Sequence, residues 1–319
     1  MLFITNREPK GSIRTKIGRT YKFDLNKNAP SNSAYYCRRN SKGNYIEIGS
    51  MNLMNELKES NKNQLLFYIH GFNNLPENDI FPRAIKLQEM FDKFDPNLVE
   101  VVPLIWPCDN DCGIVKDYWD DQKAADNSAF SFARVLQKFM SWRDLAPSNK
   151  PCLKRINILA HSMGNRVLRE TLSKWDKYDL ANGVPLLFRN TFLLAADIVN
   201  ESLEEGNSGR LISQASRNVS VYFASDDLAL RSSKVSNLKN MVASRRLGHT
   251  GPEDMKKVQS NVYAIDCDNF NNDYDNPMGH TYFLDYNRKT GLVFNHIFKT
   301  LKSGRVDVGN NDNKHIILS

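Results

Sequence analysis

A chain of 319 residues with 41% hydrophobic and 25% charged side chains has the composition of a globular protein, not of a fibrous, disordered or disulfide-stapled one. A mean hydropathy of −0.52, with no run of about 18 apolar residues, excludes a sequence built on membrane-spanning helices. The net charge of +7 is scattered, densest at Arg38-Arg39 and Arg245-Arg246, so it reads as a solvated basic surface and nucleic acid is not an expected partner.

The N-terminal stretch Met1 to Arg7 carries neither a basic region before an apolar run nor a small-residue cleavage site, and a cytoplasmic location is expected. The five cysteines, Cys37, Cys108, Cys112, Cys152 and Cys267, are odd in number and dispersed, which suits reduced thiols. The first readable strand is Leu65 to Ile69, after an N-terminal extension of about 1–60. Further strands are read at Glu100 to Ile105, Arg155 to Leu159, Thr191 to Leu194, Val219 to Phe223 and Val262 to Ile265. Their near-continuous hydrophobicity implies burial on both faces, hence a mostly parallel central sheet with helices on both faces, an α/β fold. Pro103 within the second run argues against a central ladder position there.

Helical periods fall between these runs, at about Pro82 to Phe94, Ala124 to Trp142 and Asn165 to Lys177. In the third, Val167, Leu168, Thr171, Leu172 and Trp175 form one apolar stripe. A closing helix is expected from Leu292 to Leu301, with His296 on its apolar side. The segments Asn26 to Ser33, Asn200 to Gly209 and Gly304 to Ser319 read as polar loops or tail. The organisation expected is one domain over 1–303 and a polar tail over 304–319.

The chemistry concentrates where the Arg155 strand runs through Ala160-His161-Ser162-Met163-Gly164 directly into an amphipathic helix. A serine on such a strand-to-helix turn is a nucleophile elbow, whose strained backbone demands small neighbours two positions away, here Ala160 and Gly164. A serine hydroxyl needs a base, and the base needs an orienting acid. His280, in Gly279-His280-Thr281-Tyr282, is the histidine between the last readable strand and the closing helix, and is the candidate base. Asp226 and Asp227 both follow the strand ending at Phe223, and chemistry alone does not choose between them. Asp197, at an earlier strand end, is an alternative acid or a helix cap. The N–H after the nucleophile, on Met163, and one from the loop His70-Gly71-Phe72-Asn73, on Phe72, are the expected oxyanion donors, with the Asn73 side chain as a further donor. His70 and His161 are expected to hold loop backbones in shape. Cys108 and Cys112 lack a second ligand pair for zinc, and Asp266, Asp268, Asp273 and Asp275 do not follow calcium-loop spacing, so a solvated acidic loop is expected. Neither metal nor cofactor is implied.

Taken together, Phe3-Ile4-Thr5-Asn6-Arg7, Ile69-His70-Gly71-Phe72-Asn73-Asn74, Trp106-Pro107, Leu159-Ala160-His161-Ser162-Met163-Gly164-Asn165-Arg166-Val167-Leu168, Asp227-Leu228-Ala229-Leu230, Arg246-Leu247-Gly248 and His280-Thr281-Tyr282-Phe283 resemble the α/β-hydrolase superfamily. Within it they resemble the bacterial group DUF900, alpha/beta hydrolase of unknown function. The resemblance implies an α/β-hydrolase fold and a Ser162, Asp227, His280 triad, and it favours Asp227 over Asp226. The activity implied is that of a serine hydrolase acting on a small-molecule acyl substrate, a carboxylester, lipid or thioester. An acyltransferase would use the same residues. The alternative is a catalytically inactive module of the same fold that binds a ligand or partner.

Overall fold

A computed structural model describes residues 1–108, 114–145, 151–180, 182–231, 245–285, 290–309 and 314–318. Cys112, weighed above with Cys108 as a zinc ligand, lies outside the described residues. The chain divides into two compact units, Met1–Ile156 with Glu170–Val184, and Asn157–Arg169 with Pro185–Ser319.

The first unit contains β1 (Leu2–Arg7), β2 (Thr20–Tyr21), β3 (Pro30–Arg39), β4 (Tyr45–Glu47), α1 (Ser50–Glu59), β5 (Gln64–Ile69), α2 (Phe81–Phe94), β6 (Val99–Ile105) and α3 (Ile114–Asp144). Strands β5, β6 and β1 run parallel, and β1 then continues antiparallel through β3 and β4 to β2. Helices cover both faces. Side chains alternate along β1, and the Phe3 ring packs 5.1 Å from Phe81 of α2, whereas Ile4 pairs with Tyr36, whose ring lies 5.7 Å from Lys138 Nζ of α3. Pro103 does sit inside β6. It pairs with Tyr68 on one side, while pairing with β1 starts only at Leu104, so the missing N–H leaves no gap in that ladder.

Within the N-terminal stretch of about 1–60, residues between Leu2 and Glu47 supply four strands of the sheet. All six residues of β1 are buried, the polar Thr5, Asn6 and Arg7 included. Burying Arg7 requires partners for its charge. The guanidinium donates to the carbonyls of Cys108 at 2.6 Å, Leu25 at 3.1 Å and Asp24 at 3.2 Å, tying the strand end to two loops.

The second unit holds β7 (Arg155–His161, from Asn157 on), α4 (Gly164–Asp179, up to Arg169), β8 (Phe188–Leu194), α5 (Arg210–Ala215), β9 (Ser216–Phe223), α6 (Leu247–Thr250), β10 (Val262–Asp266), α7 (Asn271–Tyr274), α8 (Leu292–Ser303) and β11 (His315–Ile317). Its five strands are parallel in the order β7-β8-β9-β10-β11. Within the C-terminal segment, residues 315–317 pair with Ala264, Ile265 and Asp266 of β10. Val167 and Leu168 are buried, as are Thr171, Leu172 and Trp175 on the part of α4 assigned to the first unit, as their spacing predicts. His296 is a core residue, bonded through Nδ1 to Tyr222 Oη at 2.7 Å and through Nε2 to the Asp307 carbonyl at 3.0 Å. The register aligns His161 with Leu194, Leu194 with Tyr222, and Tyr222 with Ile265, so the loops after β7, β8, β9 and β10 leave from one rim. Among the described residues no helix is long and apolar enough to cross a membrane.

Candidate active site

Ser162 follows β7 with φ 54°, a left-handed backbone that costs a non-glycine residue about 1–2 kcal/mol. The surroundings over-determine it. Its N–H donates to the Leu194 carbonyl at 2.9 Å, and its carbonyl accepts from Asn165 N at 3.1 Å and Asp197 N at 3.2 Å. The Asn165 amide, 0% exposed, adds bonds of 3.0 Å to the carbonyls of both Ala160 and Ser162. Sequence reasoning passed over Asn165, although its place just after the small-His-Ser-Met-Gly turn was the available signal. The exit of β8 is strained in parallel, with Ala195 at φ 45°. There Gly248 packs so closely that a Cβ would stand 2.1 Å from Ala196 N, which forces glycine in Arg246-Leu247-Gly248.

The Met163 N–H points from a fully buried residue at the mouth of α4, and among the described residues no acceptor takes it. That leaves a backbone donor beside the serine, at the positive end of the helix dipole.

Of the three acids weighed, one reaches the imidazole. His280 Nδ1 donates to Asp227 Oδ2 at 2.7 Å, and the other Asp227 oxygen accepts from Leu230 N at 2.9 Å. Asp227 is fully buried and both its oxygens are engaged. Asp197 instead forms a buried ion pair with Arg246, Oδ1 to Nε 3.2 Å. Asp226 accepts from Asn271 at 2.6 Å and from Asn272. Burial lowers the His280 pKa, but the charge of Asp227 and its hydrogen bond, followed by the charges of Asp275 and Asp197, outweigh it and leave the ring above its ordinary value.

His161, the residue before Ser162, brings the histidine loop to the turn. Its Nε2 donates to the His280 carbonyl at 3.1 Å, and the two rings stand 4.7 Å apart. Tyr282 and Phe283 are buried and anchor the loop beyond, the Tyr282 hydroxyl donating to the Tyr222 carbonyl at 3.2 Å. Among the described residues no hydrogen bond joins the Ser162 hydroxyl to the His280 ring. Such bonds in unliganded enzymes are often long and tighten in the substrate complex. The acidic loop is not simply solvated: Asp275 Oδ2 accepts from His280 N at 3.1 Å and Thr281 N at 2.8 Å, and Asp268 binds Ser225 through N at 2.5 Å and Oγ at 2.9 Å. Among the described residues no group of three or more His, Cys, Asp or Glu is placed to hold a metal ion.

In the first unit, the loop after β5 is organised around His70. The ring stacks on Trp106 at 5.1 Å, Nε2 accepts from Trp106 N at 3.2 Å, and Nδ1 therefore carries the proton and donates to the Gly71 carbonyl at 2.8 Å. Asn73 takes φ 55°, with its N–H on Asp121 Oδ2 at 3.0 Å, and its Oδ1 is buried with no hydrogen-bond partner among the described residues. The Phe72 carbonyl accepts from the Asn74 amide and its ring packs 5.6 Å from Tyr118. Burial depresses His70 from 6.5 to about 3. The unfolded ring therefore takes a proton that the native ring refuses, and stability falls as pH drops from 6.5 toward 3, by about 1.4 kcal/mol per unit. Urea unfolding of His70→Gln is expected to show a shallower pH slope than wild type between about pH 6 and 4. Equal slopes would contradict the neutral, buried ring.

A family model described as alpha/beta hydrolase of unknown function (DUF900) matches residues 49–295. Among solved structures, the chain is similar to phospholipase PlaB from Legionella pneumophila in complex with thio-NAD, at 13% identity and a TM-score of 0.27, covering 64% of this chain and 37% of that one. No curated protein matches the sequence.

Proposed function

The chain belongs to the alpha/beta hydrolase family of unknown function DUF900, and from that premise we propose that it is a serine hydrolase cleaving an ester-type acyl substrate through Ser162, His280 and Asp227. The observation that carries the reading is the 2.7 Å bond from His280 Nδ1 to Asp227, on a loop held against the residue before a serine at φ 54°.

In the proposed reaction Ser162 Oγ attacks the carbonyl carbon while His280 Nε2 takes its proton. Asp227, bonded to Nδ1, keeps Nε2 unprotonated and facing the reaction, and stabilises the imidazolium that forms. The Met163 N–H receives the developing oxyanion. Collapse expels the alcohol, which takes the proton from His280. Water then attacks the acyl-serine, again giving its proton to His280, and the second intermediate breaks its bond to Ser162 Oγ, which takes that proton back from His280 as the acid leaves. Thioesters follow the same course with a thiol as leaving group.

The test is hydrolysis of p-nitrophenyl esters of graded acyl length, with Ser162→Ala as blank. Turnover is expected for at least one member. Because the base must be neutral and His280 is raised, the rising limb of kcat/KM against pH is expected to have its midpoint above 6.5. The groups that set it are Asp227, Asp275 and Asp197, the last neutralised by Arg246. Absence of turnover by folded wild-type protein would favour the catalytically inactive binding module.

A further inference from the structure

Three consecutive residues of the turn after β9 grip three consecutive residues of the histidine loop. Leu228 N donates to the Met278 carbonyl at 3.0 Å, Asp227 holds the His280 ring, and Asp226 reaches Gly279 indirectly. The amide of Asn271, fully buried at the start of α7, donates both to Asp226 Oδ1 at 2.6 Å and to the Gly279 carbonyl at 3.1 Å. The Asn272 amide donates to the other Asp226 oxygen. Gly279 fits this clamp closely: it has φ +60°, and a Cβ on it would stand 2.5 Å from Asn271 Nδ2 and 2.6 Å from Asn272 Oδ1.

We infer that Asp226 is a positioning residue for the proposed reaction, setting the place of His280 through Asn271, Asn272 and the Gly279 carbonyl. The assignment rests on the hydrolase reading for its catalytic meaning, but not for its physical content. A carboxylate is suited to the task because it accepts from two amides at once, which neither alanine nor a water-exposed hydroxyl achieves. The adjacent Asp227 then needs no freedom of its own, since the same turn delivers the imidazole to it. Charged and titratable groups around the ring are Asp227 beside Leu230, Asp275 beneath the loop, Asp197 paired with Arg246, and the His161 ring.

The test combines a nuclear magnetic resonance titration of the His280 imidazole with ester kinetics, on wild type, Asp226→Ala, Asp226→Asn and Gly279→Ala. Asparagine at 226 removes the charge but keeps an oxygen for the Asn271 amide, the one that also holds the Gly279 carbonyl, while Asn272 can flip its amide to accept from the new NH2, so it separates geometry from charge. Asp226→Ala is expected to lose the low-field Nδ1 proton signal and to bring the His280 pKa down toward its ordinary value. It should lower kcat by about 10²-fold with KM little changed, the size expected for misplacing a catalytic group by about 1 Å. Gly279→Ala should do the same, and the double variant should be no worse than either alone, since both break one clamp. Asp226→Asn should stay within a few-fold of wild type. An unaltered His280 titration in Asp226→Ala would overturn the inference, as would Asp226→Asn being as impaired as Asp226→Ala. If Asp226→Ala fails to fold, Gly279→Ala decides by the same readouts. If wild type hydrolyses no ester, the hydrolase reading falls, and the titration still decides the clamp.

Discussion

Ser162→Ala should reduce ester hydrolysis by about 10⁶-fold, to the level of an enzyme with no covalent route, while leaving the urea midpoint where it was. The two halves of this expectation have separate causes. The turn is held by the backbone of Ser162, through Leu194, Asn165 and Asp197, and by the Asn165 amide, so the fold does not depend on the hydroxyl. The hydroxyl is instead the only part of the residue that the proposed chemistry consumes. A modest loss, near tenfold, would mean that water attacks directly and that the strained turn serves some other end.

Asp227→Asn should cost about 10⁴-fold in kcat with the fold retained. The reason lies in the second bond of this carboxylate. Leu230 N–H fixes one oxygen at 2.9 Å, so an amide replacing the carboxylate would keep its oxygen there and turn its NH2 toward His280. The ring would then accept at Nδ1 and carry its proton on Nε2, the tautomer unable to take a proton from serine. Asp226→Asn meets no such switch at the ring, because Asp226 does not touch the imidazole: the amide oxygen keeps the Asn271 bond, and Asn272 can turn its own amide oxygen toward the new NH2. A contrast of several hundredfold or more between neighbouring, isosteric substitutions is therefore expected. It is measurable in one assay, as kcat at a pH above the rising limb.

The strands from β5 to β10 were readable because parallel strands covered on both faces need unbroken apolar runs, and Leu65 to Ile69 or Val219 to Phe223 supply them. Strand β3 was not, since Pro30-Ser31-Asn32-Ser33-Ala34 has no apolar period and gains its place from distant partners, the β1 ladder and the Ser131 and Arg134 side chains of α3. Strand β11 is three residues long and largely exposed, and among the described residues its ladder runs to β10. Arg7 looks like a surface residue until three distant carbonyls are seen to converge on it. At the site, the small residues around Ser162 announced the turn, because its backbone tolerates little else. What the local chemistry of the chain does not display, and only the family resemblance indicates, is which of two adjacent carboxylates meets the imidazole. That choice is made by Asn271 and Asn272, in a segment that reads as a solvated acidic loop, and by Leu230 N–H, neither of which has a local signature. Asp275 was hidden for the same reason: its bonds go to backbone N–H groups that any residues at 280 and 281 would offer.

Mass spectrometry of the protein after exposure to a fluorophosphonate probe addresses the activated serine with no assumption about substrate. One covalent adduct is expected, on the peptide bearing Ser162, absent from Ser162→Ala and formed far more slowly by Asp227→Asn. Folded wild-type protein that forms no adduct, or an adduct elsewhere that persists in Ser162→Ala, would contradict the proposed nucleophile.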